Sequence, residues 1–370
     1  MDDSAERRVV AALWSLPEIG LKTIADVRAA FPRPGELLAR PVRSWLGEVE
    51  LWDGAKAALR GVDCLARVAD RLDAQLERLD YRMIFPDHPG WPPALRNLPE
   101  APPLLFMLGD GADGPPRRRV AVVGTRKPET GAAREVRRLA AELASQGVGI
   151  VSGGAEGIDR AAHLGAVEAK GETWAFLGCA IEEMDAGQAI LKKDFLAGQG
   201  TFFSQFSPGR RAERSTFVLR NEWISGAAEA VVIARAPVKS GALQTADHAL
   251  RQGRPVLAIP GDPWNQAAVG SNALLRKGAR PCLSAGDVLA VLGLTGILSP
   301  RPARAARARQ PLSPEAEQLL ATMTQAPTAF DELLERVLPM DPGVATAALL
   351  ELEVAGAVLQ RAGKRYERVS

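Results

Sequence analysis

A chain of 370 residues, 46% of them apolar, has material for two or three domains with proper cores. Its net charge of only +2 excludes a bulk positive field, so any nucleic-acid contact must come from locally clustered basic residues. Three scattered cysteines (Cys64, Cys179, Cys282) argue against a disulfide framework or a zinc site; no apolar run approaches the roughly 18 to 20 residues of a membrane span, and the acidic start is unlike a signal peptide, so a cytoplasmic protein is expected.

From the amino terminus, Arg7 to Leu16 has the spacing of an amphipathic helix, Leu16 to Gly20 makes a glycine turn, and Leu21 to Phe31 forms a second helix. The pair looks like a SAM-like or helix-hairpin-helix unit. Such a turn can rest on a DNA phosphate, but the turn itself carries no basic residue before Lys22, and a small helical packing domain is the better reading. One long helix is predicted from Ala55 to Leu79, then a strand from Tyr81 to Phe85, a rigid proline-rich crossing, and a strand from Leu104 to Leu108. Arg117-Arg118-Arg119 reads as a solvated lead-in to the stretch that organises the chain.

That stretch runs from Arg119 to Asp159. Val120 to Val123 is a short apolar run ending at Gly124, as strands buried on both faces of a parallel sheet do. Thr130 to Gln146 has helical spacing and stops at Gly147; Val148 to Val151 is a second strand running into Ser152-Gly153-Gly154 and another helix. Further strands are predicted at Trp174 to Leu177, Phe202 to Phe206, Ala230 to Ala234 and Val256 to Ile259, each followed by a helix. Six strands alternating with helices imply an α/β, Rossmann-like, doubly wound parallel sheet. Residues 296–313 mix prolines with Arg301, Arg304, Arg307 and Arg309 and read as a basic linker. Three helices (Pro314 to Met323, Ala329 to Val337, Gly343 to Ala355) and a terminal hairpin around Gly363 then make a winged helix. The expected domains are therefore a SAM-like helical head at 1–80, a Rossmann-like domain at 81–295, the linker, and the winged helix at 314–370.

The dinucleotide fingerprint is absent after the first strand, where Gly124-Thr125-Arg126-Lys127 stands, and no phosphate-loop Gly-Lys-Ser/Thr occurs. Four loops remain: Gly124-Thr125-Arg126, Ser152-Gly153-Gly154, Arg220-Asn221 and Lys239-Ser240-Gly241. Each offers backbone N–H groups beside a polar or basic side chain at the sheet's carboxyl edge, where anions are held. An arginine there, Arg126, has no core role; Arg220 reads either as a ligand or as a structural ion-pair partner. Asp159 and His163 lie four apart on one helix, but an aspartate there is more often a cap than half of an acid–base pair. His88 and His248 share no metal-ligand spacing with His163, and no nucleophile–base pair is visible.

Five motifs in order then resemble the DNA-processing protein A (Smf) family: Val120 to Arg126, Ser152 to His163, Phe217 to Asn221, Lys239 to Ala246 and Ala258 to Asp262. The resemblance implies a protein that binds single-stranded DNA without strong sequence preference, loads RecA recombinase onto it in natural transformation, acts as a homodimer, and has no catalytic activity, cofactor or metal. Carried over residue by residue, it implies a phosphate pocket of Gly124, Thr125, Arg126, Ser152 and Gly153, with Gly154 in the same loop, flanked by Arg220, Asn221, Lys239, Ser240 and Gly241. Phe217 is the expected stacking ring for a base.

The sequence departs from the family at Glu156, at Met184-Asp185 and at Val218. A carboxylate at 156 would repel phosphate if it faced the pocket, with Arg210, Arg211 and Arg214 available to compensate. The rival reading is an enzyme cleaving nucleoside monophosphates, whose signature P-G-G-x-G-T-x-x-E is only partly matched by Ser152 to Gly157. A third reading makes the protein a transcriptional or scaffold module through its tail. The tail's third helix carries Glu351 and Glu353 and no basic residue, which disfavours groove reading; Arg361, Lys364, Arg365 and Arg368 near the wing are its candidate backbone contacts.

Overall fold

The computed structural model describes residues 3–110, 117–294, 312–324, 326–354, 357–361 and 365–368. Two compact units emerge, Met1–Ile297 and Leu298–Ser370. The first begins with helices α1 (Asp3–Trp14), α2 (Leu21–Ala30), α3 (Val42–Trp45), α4 (Asp53–Arg60) and α5 (Leu65–Leu79). The single helix predicted over Ala55 to Leu79 is thus two. Gly61 caps α4, and the chain at Asp63-Cys64 turns extended to pair with Pro41-Val42, the Val42 amide donating to Asp63 O at 2.8 Å. The apolar spacing runs on unbroken because both helices face the same head core, Ala55 and Leu59 from one and Leu65 and Ala69 from the other.

The sheet strands are β1 (Arg82–Ile84), β2 (Leu105–Leu108), β3 (Arg119–Val123), β4 (Gly149–Ser152), β5 (Glu172–Phe176), β6 (Gln199–Ser204), β7 (Ala230–Ile233), β8 (Val256–Ala258) and β9 (Arg280–Pro281). They form one sheet in the order β1-β2-β6-β5-β4-β3-β7-β8-β9. From β6 to β9 every pairing is parallel; β2 joins β6 antiparallel and β1 joins β2 antiparallel. The six predicted parallel strands are all present, extended by the two-residue β9 at one edge and the β1–β2 hairpin at the other.

Between strands lie α6 (Thr130–Ser145), α7 (Ile158–Glu168), α8 (Ala186–Ala197), α9 (Arg214–Gly226), α10 (Gly241–Arg251), α11 (Val269–Arg276) and α12 (Ala285–Val291). Alternation in β3 decides the layers. Val120 and Val122 face α6, α7 and α12, whereas Ala121 and Val123 face α9, α10 and α11. Each fully buried valine contributes about 1.5–3 kcal/mol of hydrophobic stabilisation, and both faces of the strand are covered, as a run without polar alternation requires. Arg119 is a correction: it is buried, not solvated, with Nη2 2.9 Å from Glu172 Oε1 and Cζ 3.6 Å from the centroid of the Trp174 ring.

The second unit contains α13 (Pro314–Thr322), β10 (Thr328–Ala329), α14 (Phe330–Arg336), α15 (Pro342–Val354), β11 (Val358–Arg361) and β12 (Arg365–Arg368), with sheet order β10-β12-β11. Its core of Leu319, Leu333, Leu349 and Leu352 is that of the predicted winged helix. Nearly all of the basic linker and the wing tip at Gly363 and Lys364 lie outside the described residues. Among the described residues, no helix is long and apolar enough to cross a membrane.

Candidate nucleic-acid interface

The sheet order reverses between β3 and β7, where the chain leaves β6 at one side and returns beside β3. The loops following these two strands turn to opposite faces and leave a cleft of about 1110 Å³ at the carboxyl edge. One wall is Gly124 to Lys127, another is the first turns of α9 with Phe217, Arg220 and Asn221, and the third is Lys239, Ser240 and Gly241 leading into α10. A Cβ at Gly124 would lie 2.4 Å from Ala234 O and 2.7 Å from Ile158 Cγ1, so only glycine lets the turn start there. The Thr125 amide donates to Arg235 O at 2.8 Å, Thr125 O accepts from the Ile158 amide at 3.2 Å, and Thr125 Oγ1 accepts from the Lys127 amide at 3.3 Å. The turn is pinned on three sides, and the next side chain, Arg126, is exposed. Its Cζ sits 5.1 Å from the centroid of the Phe217 ring, and among the described residues no carboxylate pairs with it.

Exposed cations dominate the rim: Arg126, Lys127, Arg214 and Lys239, against Glu213 and Asp247. Glu213 is occupied by a capping box on α9 and lies 3.4 Å from Arg210. Ser240 Oγ caps α10 by accepting from the Ala242 amide at 3.2 Å, and Asn221 Nδ2 donates to Gly241 O at 3.5 Å. The amino terminus of α10, with its partial positive charge, therefore opens into the cleft.

Beneath the rim the chemistry is turned inward. Arg220 is buried and its Nη1 donates to Gly153 O at 2.5 Å and to Phe176 O at 2.7 Å, tying the ends of β4 and β5 together. Burial pulls its guanidinium down to about 10, with Arg126 adding to the effect and Asp159 opposing it, so it stays charged at neutral pH. Asp159 Oδ2 accepts from the Gly153 amide at 3.1 Å; burial pushes this carboxyl above its ordinary range, and Arg220 opposes that. Gly153 is thus held by an aspartate at its nitrogen and an arginine at its oxygen. A Cβ there would lie 2.1 Å from Arg220 Nη1 and 2.7 Å from Asp159 Oδ2.

Gly124, Thr125, Arg126, Phe217, Arg220, Asn221, Lys239, Ser240 and Gly241 all line one cleft. Ser152, Gly153 and Gly154 do not line it: they form its buried floor, with Ser152 Oγ donating to Val122 O at 2.7 Å. The Ser152 hydroxyl proton and the Gly153 amide are thus both donated to protein partners, and the Gly153 carbonyl accepts from Arg220. Arg211 lies apart, 85% exposed and 3.6 Å from Glu183. Glu156 is exposed and is not among the lining residues, although its neighbour Ala155 is. Lys127, Gln244 and Thr245 line the cleft without having been singled out; the signal was their place inside or beside the quoted motifs.

Asp159 and His163 do not meet. Thr173 Oγ1 donates to Ile150 O at 3.1 Å and so accepts from His163 Nδ1 at 2.7 Å, leaving a neutral imidazole whose Nε2 is buried without a partner among the described residues. Burial drives this histidine down to about 3, with Arg220 adding to the effect. Among the described residues, no group of three or more His, Cys, Asp or Glu is placed to hold a metal.

The family described as DNA recombination-mediator protein A matches residues 82–293, and a domain described as the DprA winged helix matches residues 303–364. The chain belongs to the DNA recombination-mediator protein A family. Protein Smf of a Synechocystis species is 33% identical over 319 residues, which cover 78% of this chain and 80% of that protein. The putative DNA processing protein DprA of Mycobacterium tuberculosis is 33% identical over 312 residues, or 80% of this chain and 79% of its own. Among solved structures, DNA processing protein A of Streptococcus pneumoniae superposes with a TM-score of 0.53 at 29% identity, covering 69% of this chain and 92% of that one. DNA processing protein A of Helicobacter pylori, solved for its single-stranded DNA binding mode, gives 0.50 at 27% identity and covers 57% and 95%. The cleft lies wholly within the stretch that matches the DNA recombination-mediator protein A family.

Proposed function

We propose that this chain binds single-stranded DNA in the cytoplasm through the cleft between β3 and β7 and loads RecA recombinase onto it, as a homodimer and without catalysis. Arg126 carries the reading: a solvent-facing guanidinium at the ligand edge of a parallel sheet with no carboxylate among the described residues to neutralise it. Phosphates are the guests such a site favours, gripped by Arg126 and Lys239 beside the turn at Gly124-Thr125 and the α10 amino terminus at Ser240-Gly241, while Arg220 and Asn221 shape the wall. The Ser152-Gly153-Gly154 loop supports the site from below, and Arg211 extends the basic rim outside it. In this reading residues 1–80 are a packing domain, 81–295 the binding domain, 296–313 a linker and 314–370 an accessory winged helix. Two copies on one strand raise avidity without new contacts.

The test is fluorescence anisotropy of a labelled oligo-dT and its duplex across a salt series, with wild type and Arg126→Ala side by side. The expected result is strand-selective binding whose log–log salt slope is about −0.7 per phosphate neutralised and which weakens in the variant. A slope near zero, or indifference to Arg126, rejects the cleft as the binding site; release of adenine from AMP would put the nucleotide-cleaving reading in its place.

A further inference from the structure

Phe217 is the aromatic side chain in the cleft lining, and a free ring there would be a platform for a base. Its surroundings assign it differently. The ring packs on Gly178, where an added Cβ would lie 2.6 Å from Phe217 Cδ1. The preceding residue fixes the helix to the same spot, Thr216 Oγ1 donating to Gly178 O at 2.5 Å. Phe217 and Arg220 are three residues apart on α9 and share a face, with Arg220 Cζ 5.5 Å from the ring centroid. Arg126 Cζ, from the β3 loop, is 5.1 Å from the same centroid. Both distances fall within the range over which a guanidinium is attracted to an aromatic ring. One of these cations cannot move, because two main-chain carbonyls hold it. The other has the ring as its only partner among the described residues.

We propose that Phe217 is a positioning residue, which holds the Arg126 guanidinium ready for phosphate and adds to strand affinity through that arginine and not through contact with a base. The order of support runs from the Gly153 and Phe176 carbonyls to Arg220, from Arg220 to the Phe217 ring, and from the ring to Arg126. An arginine held this way loses less side-chain freedom when it binds, and the gain is independent of which base, or whether any base, the nucleotide carries. This inference rests on the reading of the cleft as a single-strand site.

The experiment is a double-mutant cycle, Phe217→Leu with Arg126→Ala, measured by anisotropy on labelled oligo-dT and on an abasic strand of equal length. Phe217→Leu should weaken both ligands by the same factor, about two- to fivefold, and should change nothing further once Arg126 is alanine. A loss confined to oligo-dT would overturn the proposal in favour of base stacking, and a loss that persists without Arg126 would overturn it as well. Should leucine disturb the fold, stepwise fluorination of the Phe217 ring keeps its size while draining its negative face. Affinity for both strands should then fall with each fluorine, and a constant affinity would refute the idea. Wild type binding neither strand would sink the single-strand reading itself; wild type binding both, with Phe217 variants unchanged, would sink only this inference.

Discussion

Arg119 and Arg126 stand at opposite ends of the same short segment, one opening β3 and the other just past its end, and each lies against an aromatic ring. Arg119 rests 3.6 Å from the Trp174 centroid, pairs with Glu172 at 2.9 Å and has a side chain only 8% exposed. Arg126 rests 5.1 Å from the Phe217 centroid, faces solvent and has no carboxylate partner among the described residues. Residue type and platform are shared, and the difference is the missing anion. Where a buried carboxylate closes the pair the arginine becomes structure; where none does, its charge is left for a ligand.

Breaking the closed pair should have the largest effect. Glu172→Gln leaves the Arg119 guanidinium buried and unpaired, and chemical denaturation should show a loss of about 3–5 kcal/mol. Strand affinity of the folded fraction should stay the same. At the open pair the pattern inverts: Arg126→Ala should cost about 1.5–3 kcal/mol of oligo-dT binding, roughly ten- to hundredfold, while stability stays within about 0.5 kcal/mol of wild type. Loss of stability in the second variant, or of affinity in the first, would erase the contrast between the two ends.

A third test probes the floor between them. His163 is neutral in the folded protein down to about pH 3, whereas the unfolded chain protonates it below its ordinary 6.5. The unfolded state therefore binds the extra proton across that window, and stability should fall by about 1.4 kcal/mol for each pH unit below 6.5. Urea midpoints at pH 7, 6 and 5 measure this, and His163→Gln should flatten the dependence. Asp159 works in the opposite sense, since its raised value favours the folded state as pH falls through the carboxylate range. The smallest effect is expected from removing residues 314–370. The exposed face of α15 shows Val344, Thr346, Ala347 and Leu350 and no basic residue, so oligo-dT affinity should change by less than tenfold.

The sheet and its ligand edge were legible because they depend on local pattern: apolar runs ending at Gly124 and Ser152, a helix after each, and an arginine with no core to serve. What escaped depends on distance across the fold. The inward turn of the Ser152-Gly153-Gly154 loop needs Asp159 and Arg220, the latter 67 residues away, to meet at one glycine. The break at Gly61 is set by a bridge to Pro41, and β9 consists of two residues, one of them a proline. Arg117-Arg118-Arg119 looked uniform, yet Arg118 reaches Glu229 at the surface while Arg119 finds Glu172 inside. Charge pattern alone does not separate them.

The β1–β2 hairpin carries one more consequence. Phe106 and Leu108 of β2 bury their side chains against Leu72, Leu76 and Ala11 of the helical head, and Trp14 Nε1 donates to Gln205 O at 2.7 Å. A fragment beginning near residue 81 would keep β1 as its edge but leave the apolar face of β2 uncovered, an exposed patch of the kind through which chains aggregate. A truncated form of this chain should therefore keep the head with the sheet, and the place to cut it for solubility is after residue 297.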